Sequence, residues 1–245
     1  MIFYYVRHGD PIYDPDSLTA LGRRQAESVG RRFAVHGLDK IYASSSARAI
    51  QTAQPACEIL KKEAEILDWC NEGHAWRELT VKLDDRSLRW CFHHRPSREI
   101  FARGELLRMG KEFYKHPLIT EDKYLSKIDF EQGLGRIQRE TDALLATLGY
   151  SHDSERGGYI VTARNEDRVA LFAHQGFGLA FLSCLMDIPY NQFCSRFDMT
   201  HTGVTVIEFS GQKGELCIPK MLQLSNDSHL YKDGLGTKYN NWMYL

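Results

Sequence analysis

The sequence predicts an α/β fold of three layers, α/β/α, about a mostly parallel central sheet. Three observations carry this expectation. Short apolar stretches of strand composition alternate with longer stretches of helical periodicity, which is the pattern of a parallel sheet covered on both faces. No internal repeat or low-complexity tract appears, so a solenoid is not expected. With 245 residues, 43% of them hydrophobic, the chain has the apolar material for a large core.

The elements follow in order. "MIFYYV" is a buried strand, and "LTALGRRQAESVGRRFAVHG" an amphipathic helix with Leu18, Leu21, Ala26, Val29 and Phe33 near one face and Gly37 as its stop. "DKIYAS" is a second strand. It leads into the helix "SARAIQTAQPACEILKK", where the serines offer an N-cap, Pro55 threatens a kink, and Ala49, Ile50, Ala53, Ile59 and Leu60 can face a core. "EAEIL" is a third strand. Residues from about 85 to 130 break the rhythm. "GLGRIQRETDALLATLGY" restores it as a helix closed by Gly149, "GYIVTARNEDRVALFAH" holds two strands joined at "RNED", and "GFGLAFLSCLMDI" is a helix that begins just after a histidine. Strands "GVTVIEF" and "LCIPKMLQL" complete the body.

A formal net charge of −1 gives the whole protein no attraction to nucleic acid or to an anionic membrane surface, so any anion binding has to come from local clustering. "MIFYYV" is too short for a signal peptide or a membrane span, which sets the expectation of a cytoplasmic protein with neither nucleic acid nor membrane as partner. Six cysteines without a CxxC fit reduced, buried thiols rather than a disulfide framework.

Chemistry enters at "YYVRHGD", where an apolar strand ends on Arg7, His8 and Gly9. In open α/β sheets reactive groups gather at the carboxyl ends of strands. Arg7 and His8 should therefore have company at other strand ends, and they do. Arg48 falls in the first turn of the helix after the second strand, and His174 ends a later strand in "LFAHQG". Either histidine by itself would suit a buried structural role. Arginine forks match phosphate oxygens, and a helix N-terminus adds N–H groups and a favourable dipole, so the four together suit a phosphoryl group.

"RHG" at Arg7–Gly9, "LTALGRRQA" at Leu18–Ala26, "SSSARAIQTA" at Ser44–Ala53 and "AHQG" at Ala173–Gly176 together resemble the histidine phosphatase superfamily, RHG-motif branch, with its phosphoglycerate mutase-like fold. The resemblance implies a histidine phosphatase domain over residues 1–245, with a largely helical, lid-like insertion at about 85–130. It implies that His8 is the nucleophile that becomes phosphohistidine, and that Arg7, Arg48 and His174 bind the phosphoryl oxygens. It implies no cofactor and no metal. The general acid would be a glutamate after the third strand. Glu72 in "CNEGHAW" is placed first, with Asp68 and Glu78 as alternatives. Gly9 and Gln175 are expected to contact substrate. Two departures stand beside this: Asp10 where glutamate is usual after RHG, and Gln175 where glycine is common.

The segment 86–115 holds six arginines and two lysines against three glutamates, interleaved with Trp90, Phe92, Ile100, Phe101, Leu106 and Leu107. It is either an amphipathic excursion with a solvated basic face or a lid suited to a substrate with negative charge beyond one phosphate. "CFHH" with Cys70 and His74 matches no compact zinc module. The tail "SHLYKDGLGTKYNNWMYL" is first a docked terminus, with closure over the site or self-association as a homodimer as alternatives. Three functional readings follow: a metal-independent phosphomonoesterase acting on a small-molecule phosphate monoester, a phosphoglycerate mutase-type phosphoryl transfer, and a non-catalytic phospho-ligand binding protein.

Overall fold

The structure, a computed structural model, describes residues 1–239 together with 243–244. Its frame is a six-stranded sheet of β1 (Ile2–Arg7), β2 (Lys40–Ser44), β3 (Glu65–Leu67), β4 (Arg168–Ala173), β5 (Val204–Glu208) and β6 (Lys220–Asn226), in the spatial order β6-β5-β1-β4-β2-β3. Neighbours β1, β4, β2 and β3 are parallel, β5 is antiparallel to β1, and β6 is antiparallel to β5. Within this sheet β5 is thus the one reversed strand.

Side chains alternate across β1 and feed two cores. Phe3 and Tyr5 join Leu171, Phe177 and Phe181 on one face, while Val6 joins Val29, Phe33, Ala53 and Phe172 on the other. Helices α1 (Ala20–Ala34) and α2 (Ala47–Leu60) cover the second face. The first is covered by α5 (Phe130–Thr147) and α6 (Gln175–Leu185), with α3 (Glu72–Leu79) packed against both. Helix α6 is buried along its whole length, which its mostly apolar sequence allows.

Three expectations need correction. Helix α2 buries Ala49, Ala53 and Ala56 but leaves Ile50 and Ile59 38% and 46% exposed. The reason is the close approach of α1, where a Cβ on Gly30 would stand 3.0 Å from both Ala56 N and Pro55 Cβ, so only the small-residue face of α2 fits inwards. Pro55 sits within α2, which continues through it to Leu60. "LCIPKMLQL" is two strands: Leu216–Cys217 pairs with Gly158–Val161 in a separate sheet, and β6 begins after Pro219, which has no N–H to donate to a ladder. Leu18 belongs to a hairpin of Pro11–Tyr13 with Asp16–Leu18, and α1 starts only at Ala20, capped by Thr19 Oγ1 accepting from Gly22 N at 3.0 Å.

Residues 80 to 127 form a hairpin, Thr80–Lys82 with Leu88–Trp90, then α4 (Arg95–Phe101) and a series of short helical turns. Phe101, Phe113 and Phe130 stack edge to face at 5.3 to 6.1 Å between ring centres, which roots this segment in the main core. Arg98 Nε donates to Ser195 O at 2.9 Å, and Lys111 pairs with Asp187. Of the tail, Ser228–Lys232 is helical and buries His229 and Leu230, while residues 240–242 and 245 lie outside the described residues.

The turn after β1 rests backbone to backbone on α1. A Cβ on Gly22 would lie 2.2 Å from Asp10 O, and one on Gly9 would lie 2.6 Å from Gly22 O. Gly22→Ala should therefore lower the unfolding free energy by about 2 kcal/mol or more, whereas Arg24→Ala on the exposed face of α1 should change it by less than about 0.5 kcal/mol. Urea unfolding of the two variants checks this; equal midpoints would show that the contact is not a constraint.

Candidate active site at the carboxyl edge of the sheet

The site grows from the end of β1. Arg7 is 2% exposed, with Nη1 donating to Met199 O at 2.6 Å and Nη2 to His201 Nε2 at 2.9 Å. His8 is buried beside it, and its Nδ1 lies 2.7 Å from Gly9 O. A carbonyl only accepts, so Nδ1 carries the proton and Nε2 keeps its lone pair. Burial, then the charges of Arg7 and Arg48, hold the His8 pKa well below its ordinary 6.5, so the ring is neutral near pH 7.

Arg48 enters from the first turn of α2. Its Nη1 donates to Asp16 Oδ1 at 2.7 Å and its Nη2 to Glu72 Oε2 at 3.1 Å, while Tyr13 lies against it with 5.4 Å from Cζ to the ring centre. Asp16 also accepts from Ala47 N at 2.7 Å, so it caps α2 and aims its arginine at once. His174 ends β4 and is fully buried. Tyr5 Oη accepts from its backbone N–H at 3.1 Å and donates to its carbonyl at 2.6 Å. Its Nε2 lies 2.8 Å from Ser44 Oγ and 3.2 Å from Ser46 Oγ, and its ring centre is 5.3 Å from that of His8. Burial, then His8, Arg48 and Arg7, push its pKa well down.

Of the three carboxylates considered, Glu72 is the one brought to these groups. It opens α3, its Oε1 accepts from Gly176 N at 3.0 Å, and its Oε2 lies 3.6 Å from His174 Nδ1. Asp68 is exposed and bonded to Ser45 and His74, and Glu78 is committed to a two-point pair with Arg136 at 2.7 Å. Gly9 differs from expectation: its N–H donates to Thr52 Oγ1 at 3.0 Å and its carbonyl serves His8, so its amide is spent within the fold. The Gln175 side chain binds Asp198 and lines the cleft with Arg7.

Two functional residues went unseen in the sequence. Asp16 lies in a hairpin with no motif around it. His201, in "MTHTG", stands at the amino end of β5, and because β5 is reversed this end shares the edge where the parallel strands finish. The signal was there: a histidine just before a strand is equivalent to one just after, once that strand runs backwards. The backbone of the same segment holds β1, with Thr202 N donating to Arg7 O at 3.0 Å and Arg7 N to Gly203 O at 3.4 Å.

Arg7 and Gln175 form one end of a cleft of about 640 Å³ walled by Tyr13, Trp90 and Phe92 and rimmed by Arg95 and Arg98. Trp90 packs on the start of α6, where a Cβ on Gly176 would come within 2.2 Å of its ring. A second cleft, about 670 Å³, lies beside β3 between Asp39, Lys62 and Glu140. It contains none of the clustered histidines and arginines, so chemistry rather than size selects the first. Donor atoms of His8, Glu72 and His174 lie within 4.8 Å of one another, near enough to share one ion, but two guanidinium groups at the same place favour an anion. Cys70, His74, Cys91, His93 and His94 are not gathered into a site: Cys91 Sγ sits 3.6 Å from Tyr190 Oη, His74 binds Asp68 and Arg77, and His94 binds Ser97. All six cysteines are free thiols, and burial pushes Cys91 and Cys184 up to about 12.

Comparison with known proteins meets this geometry at the residues that build it. Residues 3–109, which include Arg7, His8, Arg48 and Glu72, match the family model described as histidine phosphatase superfamily (branch 1). The chain resembles that superfamily over this segment. Its phosphoglycerate mutase-like fold extends over nearly all of its length. A mycobacterial glucosyl-3-phosphoglycerate phosphatase shares it at 18% identity and a TM-score of 0.57, over 92% of this chain and 98% of that one. An Entamoeba histolytica phosphoserine phosphatase, solved with 3-phosphoglyceric acid, shares it at 16% identity and a TM-score of 0.55, over 94% and 98%. A protein described as mycobacterial hydrolase 1 does so at 19% and 0.58, over 91% and 98%. No curated protein matches the chain. Among the described residues no helix is long and apolar enough to cross a membrane.

The buried histidines predict how the stability of the protein responds to pH. Burial and then Arg32 lower His229, whose Nε2 lies 3.1 Å from Thr202 Oγ1 behind the site, to about 4. His8 and His174 are lowered in the same direction. The unfolded chain takes up protons on these rings below the ordinary 6.5 while the folded one refuses them. Stability is therefore fully present above 6.5 and falls as the pH drops towards about 4. His229→Asn should remove on the order of 2–3 kcal/mol of that fall, read as a flatter pH dependence of the urea midpoint; an unaltered slope would mean that His229 protonates in the fold.

Proposed function

We propose that the protein is a metal-independent phosphomonoesterase that works through a phosphohistidine on a small phosphorylated substrate. The observation that carries this reading is the His8 ring, neutral and with its proton on Nδ1, so that the Nε2 lone pair faces a place framed by Arg7, Arg48 and His174. A nucleophile needs that lone pair, and the phosphoryl group needs those donors.

In the proposed reaction His8 Nε2 attacks phosphorus, the bond to the leaving oxygen breaks, and Glu72 delivers a proton to that oxygen. Water then enters, gives its proton to Glu72 and attacks phosphorus, which releases inorganic phosphate and restores His8 with its lone pair. Glu72 is suited to both steps because its carboxylate is steered by Gly176 N–H and Arg48 while it borders His174. The guanidinium groups offset the charge that builds on the equatorial oxygens. The helical segment over the cleft acts as a lid, with Arg95 and Arg98 at its rim placed to meet negative charge on the leaving group. That the solved proteins of the same fold include a glucosyl-3-phosphoglycerate phosphatase and a phosphoserine phosphatase agrees with hydrolysis of a phosphomonoester.

Release of phosphate from an aryl phosphate, with and without chelator, tests the reading. The wild type should turn over equally with chelator, His8→Ala should fall to background, and Glu72→Gln should lose about 10²- to 10⁴-fold in kcat. Turnover that survives in His8→Ala would overturn the phosphohistidine route. With a phosphorylated carboxylic acid as substrate, Arg95→Gln combined with Arg98→Gln should raise KM about fivefold; an unchanged KM removes the lid from substrate recognition.

A further inference from the structure

His201 is fully buried at the start of the reversed strand, its ring centre 5.8 Å from that of His8. Its Nε2 lies 2.9 Å from Arg7 Nη2. A guanidinium can only donate, so His201 Nε2 must accept, and it can accept only as a lone pair. The ring is therefore neutral with its one proton on Nδ1, and Nδ1 is 3.7 Å from Asp10 Oδ1. A charged ring would set two cations 2.9 Å apart with no bulk water between them. Asp10 is itself held, since its Oδ2 accepts from Thr19 Oγ1 at 2.7 Å and Thr19 caps α1 through Gly22 N.

We infer that His201 is a positioning residue that fixes the plane of Arg7 against the phosphoryl group; the inference rests on the phosphoryl-transfer reading above. Met199 O holds Nη1 and His201 Nε2 holds Nη2, so the two ends of one fork are set by neighbouring residues of one segment, and that segment also binds the backbone of Arg7 and His8 through Thr202 N. A residue of equal bulk without an acceptor would take away the acceptor that His201 offers Arg7 Nη2 and loosen the hold on the fork. Asp10 reaches Thr19 from a turn whose backbone is pressed onto Gly22, and its other oxygen stands 3.7 Å from His201 Nδ1.

Two measurements test this. Nitrogen NMR of the wild type labelled in histidine reads the tautomer without reference to activity or to any variant. His201 should carry its proton on Nδ1 near neutral pH. An Nε2-protonated or cationic ring would overturn the assignment. The second measurement compares His201→Asn, which keeps an oxygen acceptor, with His201→Leu, which has none. Calorimetry with inorganic phosphate and KM for an aryl phosphate should show the leucine variant weakened about tenfold or more, and the asparagine variant within about threefold of wild type. Equal losses in both, or an unchanged phosphate affinity in the leucine variant, would reduce His201 to a filler of space. Should the leucine variant not fold, a loss beyond threefold in the asparagine variant overturns the role, and retention together with the Nδ1 tautomer supports it. A wild type that binds no phosphate would refute the phosphoryl reading, and the aiming role with it, whatever the tautomer.

Discussion

A fully buried guanidinium is costly unless every part of its surroundings answers it. Arg7 is such a group, and much of this fold is arranged to answer it. Met199 O and His201 Nε2 take its two terminal nitrogens, and Thr202 and Gly203 bind its backbone. Those four residues lead into β5, which has to run against the rest of the sheet for its first residues to arrive at the end of β1. The close contact of Gly9 with Gly22 brings α1, and through Thr19 the Asp10 carboxylate, to the same place. Remove the arginine and these placements lose their common purpose.

The same positive charge governs the histidines. His8 and His174 are buried within reach of two guanidinium groups, and both desolvation and like charge keep them neutral. A neutral imidazole with one nitrogen committed to a backbone carbonyl is a directed lone pair rather than a diffuse cation. The positive charge of the site is thus carried by groups that cannot lose it, the arginines, and the His8 ring is kept free of it. Asp16 and Glu72 bind Arg48 while Met199 and His201 bind Arg7, so the two arginines are tethered by different partners.

Access to this edge is shaped by a segment that belongs to the core as much as to the surface. Its phenylalanines lock into the main apolar cluster while Trp90 presses on Gly176 at the start of α6, one residue beyond Gln175. Asp198 joins Gln175 on one side and stands 3.9 Å from His93 of the overlying segment on the other. A shift of that segment would be felt directly at the turn that carries His174.

How much of this the sequence could show depends on range. Strand and helix alternation, the glycine stops, and the charged ends of β1 and β4 are local patterns, so the three-layer fold and the gathering of Arg7, His8, Arg48 and His174 at one edge were legible from composition, periodicity and motif. Which acid joins them was not, because Asp68, Glu72 and Glu78 differ only by the path of one turn, and it is the N–H of Gly176, distant in sequence, that draws Glu72 inwards. Ile50 and Ile59 looked like core until the approach of α1 at Gly30 made room for alanines alone. His201 stood before a strand whose direction is settled only by pairing with β1, far along the chain, and Asp16 lay in a short hairpin that no motif marks. The sequence by itself determined which groups stand at the ends of strands, because that is written in adjacent residues; the tertiary structure decided which of them touch, because contact depends on the direction in which β5 returns and on how closely the glycines let backbones meet.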